Sequence, residues 1–586
     1  MNMSAQLCFV VAQICCGLVL LDMPGRQQRM QKFDRDRERS RSPGDCDGLG
    51  YGRELRDWLV SWSWGSSTGA AVVRHADAKK RSGAPVDEHI KRLASCNSDN
   101  KIGNAERMVK SIAPLDHFPP TQSWEGSVND GILPHHAFHW LRSMNGPKFA
   151  VHFGARGDVT WFWDAIRSTP QGRDMWDSNP FLRFKTPTDL RKHLPLMIFD
   201  DAGVTGKGKS AFCRTWYSLL GSGSDRETRV IMATAHKLND SDDRSWPDIL
   251  ASFTELAKPT TDPDAWGGIL LFFGADLEYI CNVCGMKHYN SNVICGYCLT
   301  NDTVHPHTDN SRGASWRATI LKTTREFKDR FRQPLHPVVA HEWFTLYSYR
   351  LDCMHLNDHH GVISHLIGNI FDIQLSDAHG PLPGPNLDAR LDFLNGDIAA
   401  YNSLARVNSR VPTLKLDNIR GGDFPELKGQ LIKAANTRQL IPYVVNLATR
   451  AVNCTPTNEN KHALRCITAM HLLCETLYNA DYFLTDVEKE SVAHNCFKLG
   501  IHYQWLAVNT TALKWKQPPK LHYVIAHLPE QARLINPVKV QGYKNESMVG
   551  TLSNIYKLSM NGPHYDVSSA TVLTKYCTGM ILAWMP

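Results

Sequence analysis

"LPLMIFDDAGVTGKGKSAFCRTWYSLL" occupies residues 194–220, and its reading decides the fold. Residues 203–210 spell G-x-x-x-x-G-K-S. In a P-loop, a strand feeds a glycine loop and the loop opens a helix. Backbone N–H groups and Lys209 would then cradle phosphates, and Ser210 would bind Mg²⁺. Phe212, Trp216 and Leu219 share a helical face, and Asp276 could serve as a Walker-B-like acid, so one reading is a P-loop NTPase using GVTGKGKS. The other reading places the chemistry in Asp200 and Asp201. Asp200, Asp201 and Ala202 separate the apolar run from the first glycine. "CRTWY" is rich in aromatic and β-branched residues, which suits a strand better than a phosphate-binding helix. On that reading "VTGKGK" is a basic hairpin carrying Lys207 and Lys209.

Outward from this stretch, "TRVIMATAHKL" (228–238) is β-branched and alternating. "WPDILASFTELAKP" (246–259) has helical spacing at Ile249, Phe253 and Leu256. "GGILLFFGAD" (267–276) is a short, continuous apolar run. The order is strand, strand, strand, helix, strand. It predicts a mixed sheet with the first three strands antiparallel and the strand ending at Asp276 beside the first. Asp201 and Asp276 close the first and last of these strands. Far downstream, "YKNESMVGTLSNIYKL" (543–558) predicts a helix with Asn545 as N-cap, Glu546 in the first turn and Met548, Leu552 and Ile555 on its apolar face. Three carboxylates on two strands and a helix can hold two divalent ions for phosphoryl transfer. Taken singly, each acid is weak evidence, because acids at strand ends and helix starts are usually structural.

Metal-ligand spacing sharpens the pattern. Cys295-x2-Cys298 follows Asp276, and His522-x4-His527 precedes Glu546. Two Cys and two His suffice for one tetrahedral Zn²⁺. A local Cys₄ closure through Cys281-x2-Cys284 competes with it. The His pair is preferred because the two ligand pairs lie on either side of a long intervening segment. By itself, the His pair would read as a partly exposed helix face.

At 586 residues the chain has room for two to four domains. Its 42% hydrophobic and 21% charged content is globular, and a net charge of +7 permits nucleic-acid binding without arguing for it. The 16 cysteines are scattered, which points to a reducing compartment rather than a disulfide framework. "QLCFVVAQICCGLVLL" (6–21) has no basic residue before it and no cleavage site after it, and is short for a membrane span, so a buried helix is expected over a targeting or anchor segment, and no membrane association. Residues 33–50 are charged and read as a solvated linker or a weak nuclear-localisation segment. The expected organisation is a poorly ordered tail (1–50), a helical or irregular region (51–190), the first part of an α/β core (191–280), a zinc-binding segment (281–345), a helical insertion (346–515) and a C-terminal part bearing the Glu helix (516–586).

This succession resembles the RNase H-like DDE transposases of the CACTA, Mirage, Chapaev and Transib kind, relatives of the V(D)J recombinase catalytic core. "GADLEYICNVCGMKHYNSNVICGYC" (274–298) is similar to the family's second Asp followed by C-x2-C. "KLHYVIAHLPEQARLINPVKVQGYKNES" (520–547) is similar to its H-x4-H before the Glu. "LDCMHLNDHHGVISHLIGNIF" (351–371) resembles its "LDVMH" segment. The resemblance covers roughly 190–560. It implies an RNase H-like mixed sheet interrupted by a large helical insertion. Asp201, Asp276 and Glu546 would be the triad for two Mg²⁺ or Mn²⁺ ions, and Cys295, Cys298, His522 and His527 would hold a structural Zn²⁺. It further implies a nuclear DNA strand-transferase or nuclease that acts on transposon ends or derived sites as a homodimer or higher oligomer. The first acid of the family stands before Gly, whereas here Asp200-Asp201-Ala202 leaves the choice between two aspartates. The chain also has an unusual N-terminus and no recognisable separate DNA-binding domain, so a domesticated copy, or a catalytically dead, zinc-stapled DNA-binding protein of the same fold, is a further expectation.

Overall fold

The computed structural model describes residues 53–82, 84, 86–95, 109, 117–123, 130–206, 209–235, 245–259, 262, 265–287, 294–301, 303–510, 514–559 and 569–584. The expectations for the apolar start and the charged 33–50 segment fall outside these residues. Among the described residues no helix is long and apolar enough to cross a membrane.

Two compact units form. Among the described residues the smaller draws on 53–61, 69–95 and 109, and the larger on 62–68 and 117–584. In the smaller unit, Leu55, Leu59, Val72, Val73, Ala76, Ile90 and Leu93 are buried. Asp87 caps its last helix, Glu88–Ala94, by accepting from the Ile90 N–H at 2.8 Å.

The larger unit is mixed α/β. Among the described residues its sheet has seven strands: β1 (Gln122–Ser123), β2 (Asp130–Gly131), β3 (His193–Gly206), β4 (Lys209–Ser218), β5 (Val230–Ala235), β6 (Gly267–Ala275) and β7 (Tyr349–Leu351). Their spatial order is β1-β2-β5-β4-β3-β6-β7. β3 pairs antiparallel with β4, and β4 antiparallel with β5. β6 lies parallel to β3 on its other side, as the strand–helix–strand order predicts. β6 is buried throughout, which accounts for its uninterrupted apolar sequence.

β3 runs on through the glycines to Gly206, and residues 209–218 are a strand rather than a helix. Gly206 pairs with Lys209 and Val204 with Ser210. The segment is a hairpin, and the helix N-terminus that a P-loop uses to hold phosphate is replaced by a strand. Asp200 and Asp201 accordingly lie within a strand, not at its end. Lys207 is outside the described residues, and Lys209 opens β4.

Helices follow from Val362–Ser376 through Asn458–Asn479 to Asp486–Asn509. The Glu546 helix spans Tyr543–Ser559. It begins before Asn545, so that residue is not its N-cap. Asn545 is buried instead, with its Oδ1 accepting from Thr215 Oγ1 on β4 at 3.2 Å. Met548, Leu552 and Ile555 are buried as their spacing predicts.

His193 opens β3 and is 6% exposed. Burial, with Lys185 nearby, pushes its pKa from 6.5 down to about 4. The unfolded chain takes a proton near 6.5 and the folded chain resists until about 4. Stability is therefore full above the unfolded value and falls as the pH drops through this window. The loss is up to about 3 kcal/mol, at about 1.4 kcal/mol for each pH unit between the two values. His193→Leu should flatten the urea midpoint between pH 7 and 4.5, and an unchanged slope would place the acid sensitivity elsewhere.

Candidate metal centres

Strand alternation separates the two adjacent aspartates. Asp200 lies opposite Arg214 across the β3–β4 pair. Both side chains are fully buried, and Arg214 Nε donates to Asp200 Oδ2 at 2.9 Å and to Oδ1 at 3.2 Å. Tyr279 Oη donates to the same Oδ2 at 2.7 Å. Arg214 also donates to Ser245 Oγ at 2.7 Å and lies over the Trp246 ring at 3.8 Å. Asp200 is thus committed to a core ion pair.

Asp201 faces the opposite way. One of its carboxylate oxygens, a His355 ring nitrogen and a Glu546 carboxylate oxygen lie within 4.8 Å of one another. Asp201 is buried, His355 half-buried and Glu546 exposed, so the group opens to solvent on the Glu546 side. Burial raises the Asp201 pKa well above the ordinary range. His355 opposes the rise, and the charges of Asp276 and Glu546 reinforce it. Asp276 directly follows β6, whose Ala275 pairs with Asp200, so it stands beside Asp201 across the parallel pair. It caps the helix Leu277–Asn282 by accepting from the Tyr279 N–H at 2.5 Å. Asp276 does not join the 4.8 Å group. Two of the three sequence-predicted acids converge, and the third directly follows the neighbouring strand.

His355 and its partner Asp352 were not singled out by the sequence. His355 Nδ1 lies 2.6 Å from Asp352 Oδ2. Burial alone would lower the His355 pKa, but the Asp352 hydrogen bond and charge, with Asp201 and Asp276, push it up to about 9. Asp352 Oδ1 accepts from the Met354 N–H at 3.0 Å and the Gly542 N–H at 2.8 Å. A Cβ at Gly542 would overlap the Asp352 carboxylate, so the close approach requires glycine. The signal that could have found this pair is the i, i+3 spacing of Asp and His in "LDCMH", next to the sheet.

The second centre is buried. Ligand atoms of Cys295, Cys298, His522 and His527 all lie within 4.8 Å of one another. Cys295 Sγ is 3.1 Å from His527 Nε2, and Cys298 Sγ is 3.2 Å from His522 Nε2. Zinc bond lengths with tetrahedral angles put S and N ligands about 3.6 Å apart, so the four residues suit a metal ion. Although burial opposes it, the Cys295 thiol, His522 and His527 lower the Cys298 thiol below its ordinary range, while burial and Cys298 raise that of Cys295. Cys281 and Cys284 are buried but take no part in this group, and Cys281 Sγ approaches the Lys287 carbonyl at 3.7 Å. The local Cys₄ alternative is not what the fold builds.

Both centres use π-helical turns. On an ideal α-helix, residues five apart point about 140° away from each other. The π-turn Tyr523–His527 widens the helix so that His522 and His527 face the same point. His355 sits on a second π-turn, Met354–Asp358.

No protein-family model matches this chain, and no curated protein matches it.

Proposed function

We propose that this chain is a transposon-derived DNA strand-transferase or nuclease built on an RNase H-like core. Asp201, Asp276 and Glu546 would hold two Mg²⁺ or Mn²⁺ ions, and Cys295, Cys298, His522 and His527 a structural Zn²⁺. The observation that supports this most is the meeting of Asp201 and Glu546 beside His355, from segments separated by the whole helical insertion. Nothing local brings these residues together, and carboxylate oxygens are suitable donors for hard divalent ions.

Bound metal would lower the pKa of an attacking water or 3′-hydroxyl and stabilise the leaving oxygen. The chain's own part is to fix the donors. β3 holds Asp201, the end of β6 delivers Asp276 beside it, and the buried ion pair at Asp200 locks β3 against β4. The exposed side at Glu546 leaves an approach for a DNA strand. Action in the nucleus as a homodimer or larger assembly on DNA belongs to the same reading.

The test is a nicking and strand-transfer assay on supercoiled and oligonucleotide DNA with Mg²⁺ or Mn²⁺. Activity should vanish in Asp201→Asn and Glu546→Gln, with zinc content unchanged. Cleavage that survives Asp201→Asn would rule out this triad. DNA binding and intact zinc without any metal-dependent cleavage would favour the catalytically dead form of the same fold.

A further inference from the structure

The acid cluster carries an imidazole, and that changes which ion it suits. We infer that His355 is a direct metal ligand, and that the site takes Mn²⁺ in preference to Mg²⁺. This rests on the two-metal reading and specifies its cofactor.

The His355 ring is aimed by its surroundings. Its Nδ1 is held by Asp352 Oδ2 at 2.6 Å. The other Asp352 oxygen is fixed by two backbone N–H groups, from Met354 and Gly542. Because Nδ1 is engaged, Nε2 is the nitrogen left to face the cluster, and it lies 3.9 Å from Glu546 Oε2. That separation is too long for a direct hydrogen bond. It is the spacing of two ligands on one ion, since bonds of about 2.1 Å place ligand atoms about 3–4 Å apart. A carboxylate holding the far nitrogen of a histidine is also the usual outer support of a metal-bound imidazole.

Glu546 and His355 reach the site independently. Glu546 lies in the first turn of the helix Tyr543–Ser559 and His355 on the π-turn after β7. Gly542, one residue before that helix, donates to Asp352 and so ties the two arms together. Mn²⁺ takes the same carboxylate oxygens as Mg²⁺ but, as a first-row transition ion, accepts a nitrogen donor more readily than Mg²⁺, which holds to oxygen and water and gives up its hydration reluctantly. A mixed set of two carboxylates and one imidazole should therefore discriminate between Mn²⁺ and Mg²⁺ in a way that Asp201, Asp276 and Glu546 alone would not. The competing arrangement is a protonated His355 acting as a fixed cation between Asp201 and Glu546, with no nitrogen on the metal.

Electron paramagnetic resonance of Mn²⁺ titrated into the full-length, zinc-bearing protein separates the two. The expected result is Mn²⁺ held at least tenfold more tightly than Mg²⁺ by competition, with imidazole-nitrogen coupling in the spin-echo modulation. His355→Ala should abolish the coupling and most of the preference, and Asp201→Asn should abolish binding. Mn²⁺ that is lost in Asp201→Asn yet shows no nitrogen coupling in the unmodified protein overturns the ligand assignment and leaves the triad standing. A His355→Ala variant that keeps the full preference overturns it in the same way. Mn²⁺ binding indifferent to Asp201→Asn sinks both. Should His355→Ala lose its zinc or fail to unfold cooperatively, the modulation spectrum of the unmodified protein decides alone.

Discussion

Asp200→Asn should destabilise the larger unit by about 3–5 kcal/mol, while Asp201→Asn, one residue on, should leave stability unchanged or slightly raised. The two substitutions are chemically identical, so the contrast isolates environment. At Asp200 the amide removes the charge paired with Arg214, whose side chain is fully buried and 2.9 Å away. An arginine stays protonated, and a buried guanidinium without its counter-charge is among the costliest defects a core can carry. Tyr279 and Ser245, which also bond to this pair, cannot supply the missing charge. Against a typical stability of about 5–15 kcal/mol, that loss is a large share. At Asp201 the situation is reversed. Burial and the nearby Asp276 and Glu546 carboxylates already disfavour its ionised form. A neutral amide relieves that repulsion, while any ion that needs the carboxylate is lost. Urea unfolding of both variants, run beside the DNA-nicking assay, gives the comparison. Equal losses of stability would mean that the assignment of one aspartate to the core and the other to the site is wrong.

Period-two alternation puts adjacent residues on opposite faces, so the sequence already implied that only one of Asp200 and Asp201 could face a site. Which one depended on Arg214 lying directly across the hairpin, and that register came from folding. The order of β3, β4, β5 and β6 was legible because each announces itself by composition and length, whereas β1, β2 and β7, only two or three residues each, carry no such signal. The hairpin reading of "VTGKGK" followed from "CRTWY" being poor helix material. The joining of Cys295 and Cys298 to the two histidines was legible as spacing. Its geometry was not, because an H-x4-H pair diverges on an ordinary helix and converges only on a π-turn. His355 was harder still. A histidine in a polar run such as "HLNDHHG" has no periodic signal, and its role emerges only when Asp352, Gly542 and the Glu546 helix meet. The extension of β3 past Asp201 was hidden by the glycines, which read as a loop while the backbone keeps pairing.

If the Cys/His centre holds the proposed zinc, Cys298→Ser should release it and lower the stability of the larger unit by several kcal/mol, whereas Cys281→Ser with Cys284→Ser should keep it. The magnitude follows from chain length. The contact between Cys298 and His522 bridges 224 residues. A cross-link closing a loop of that size restricts the unfolded chain by about 5 kcal/mol in the chain-entropy treatment. The folded state adds a direct loss, because His522 and His527 are buried and would keep polar nitrogens without a metal to satisfy them. The effect should reach the acid cluster without touching any of its ligands. Beyond the π-turn, Gln531 Oε1 accepts from the Leu351 N–H at 2.9 Å, and Arg350 donates to the Gln531 carbonyl at 2.8 Å. β7 therefore carries the segment bearing His522 and His527 onto the sheet edge beside β6, directly before Asp352 and His355. Loosening it should lower nicking activity together with stability, and restoring the thiol should recover both. Zinc analysis, unfolding and activity on the same preparations test the chain of contacts. Zinc retained by Cys298→Ser, or lost with Cys281 and Cys284, would return the ligand set to the local cysteines. Zinc lost with activity fully intact would break the link from the zinc centre through β7 to the acids.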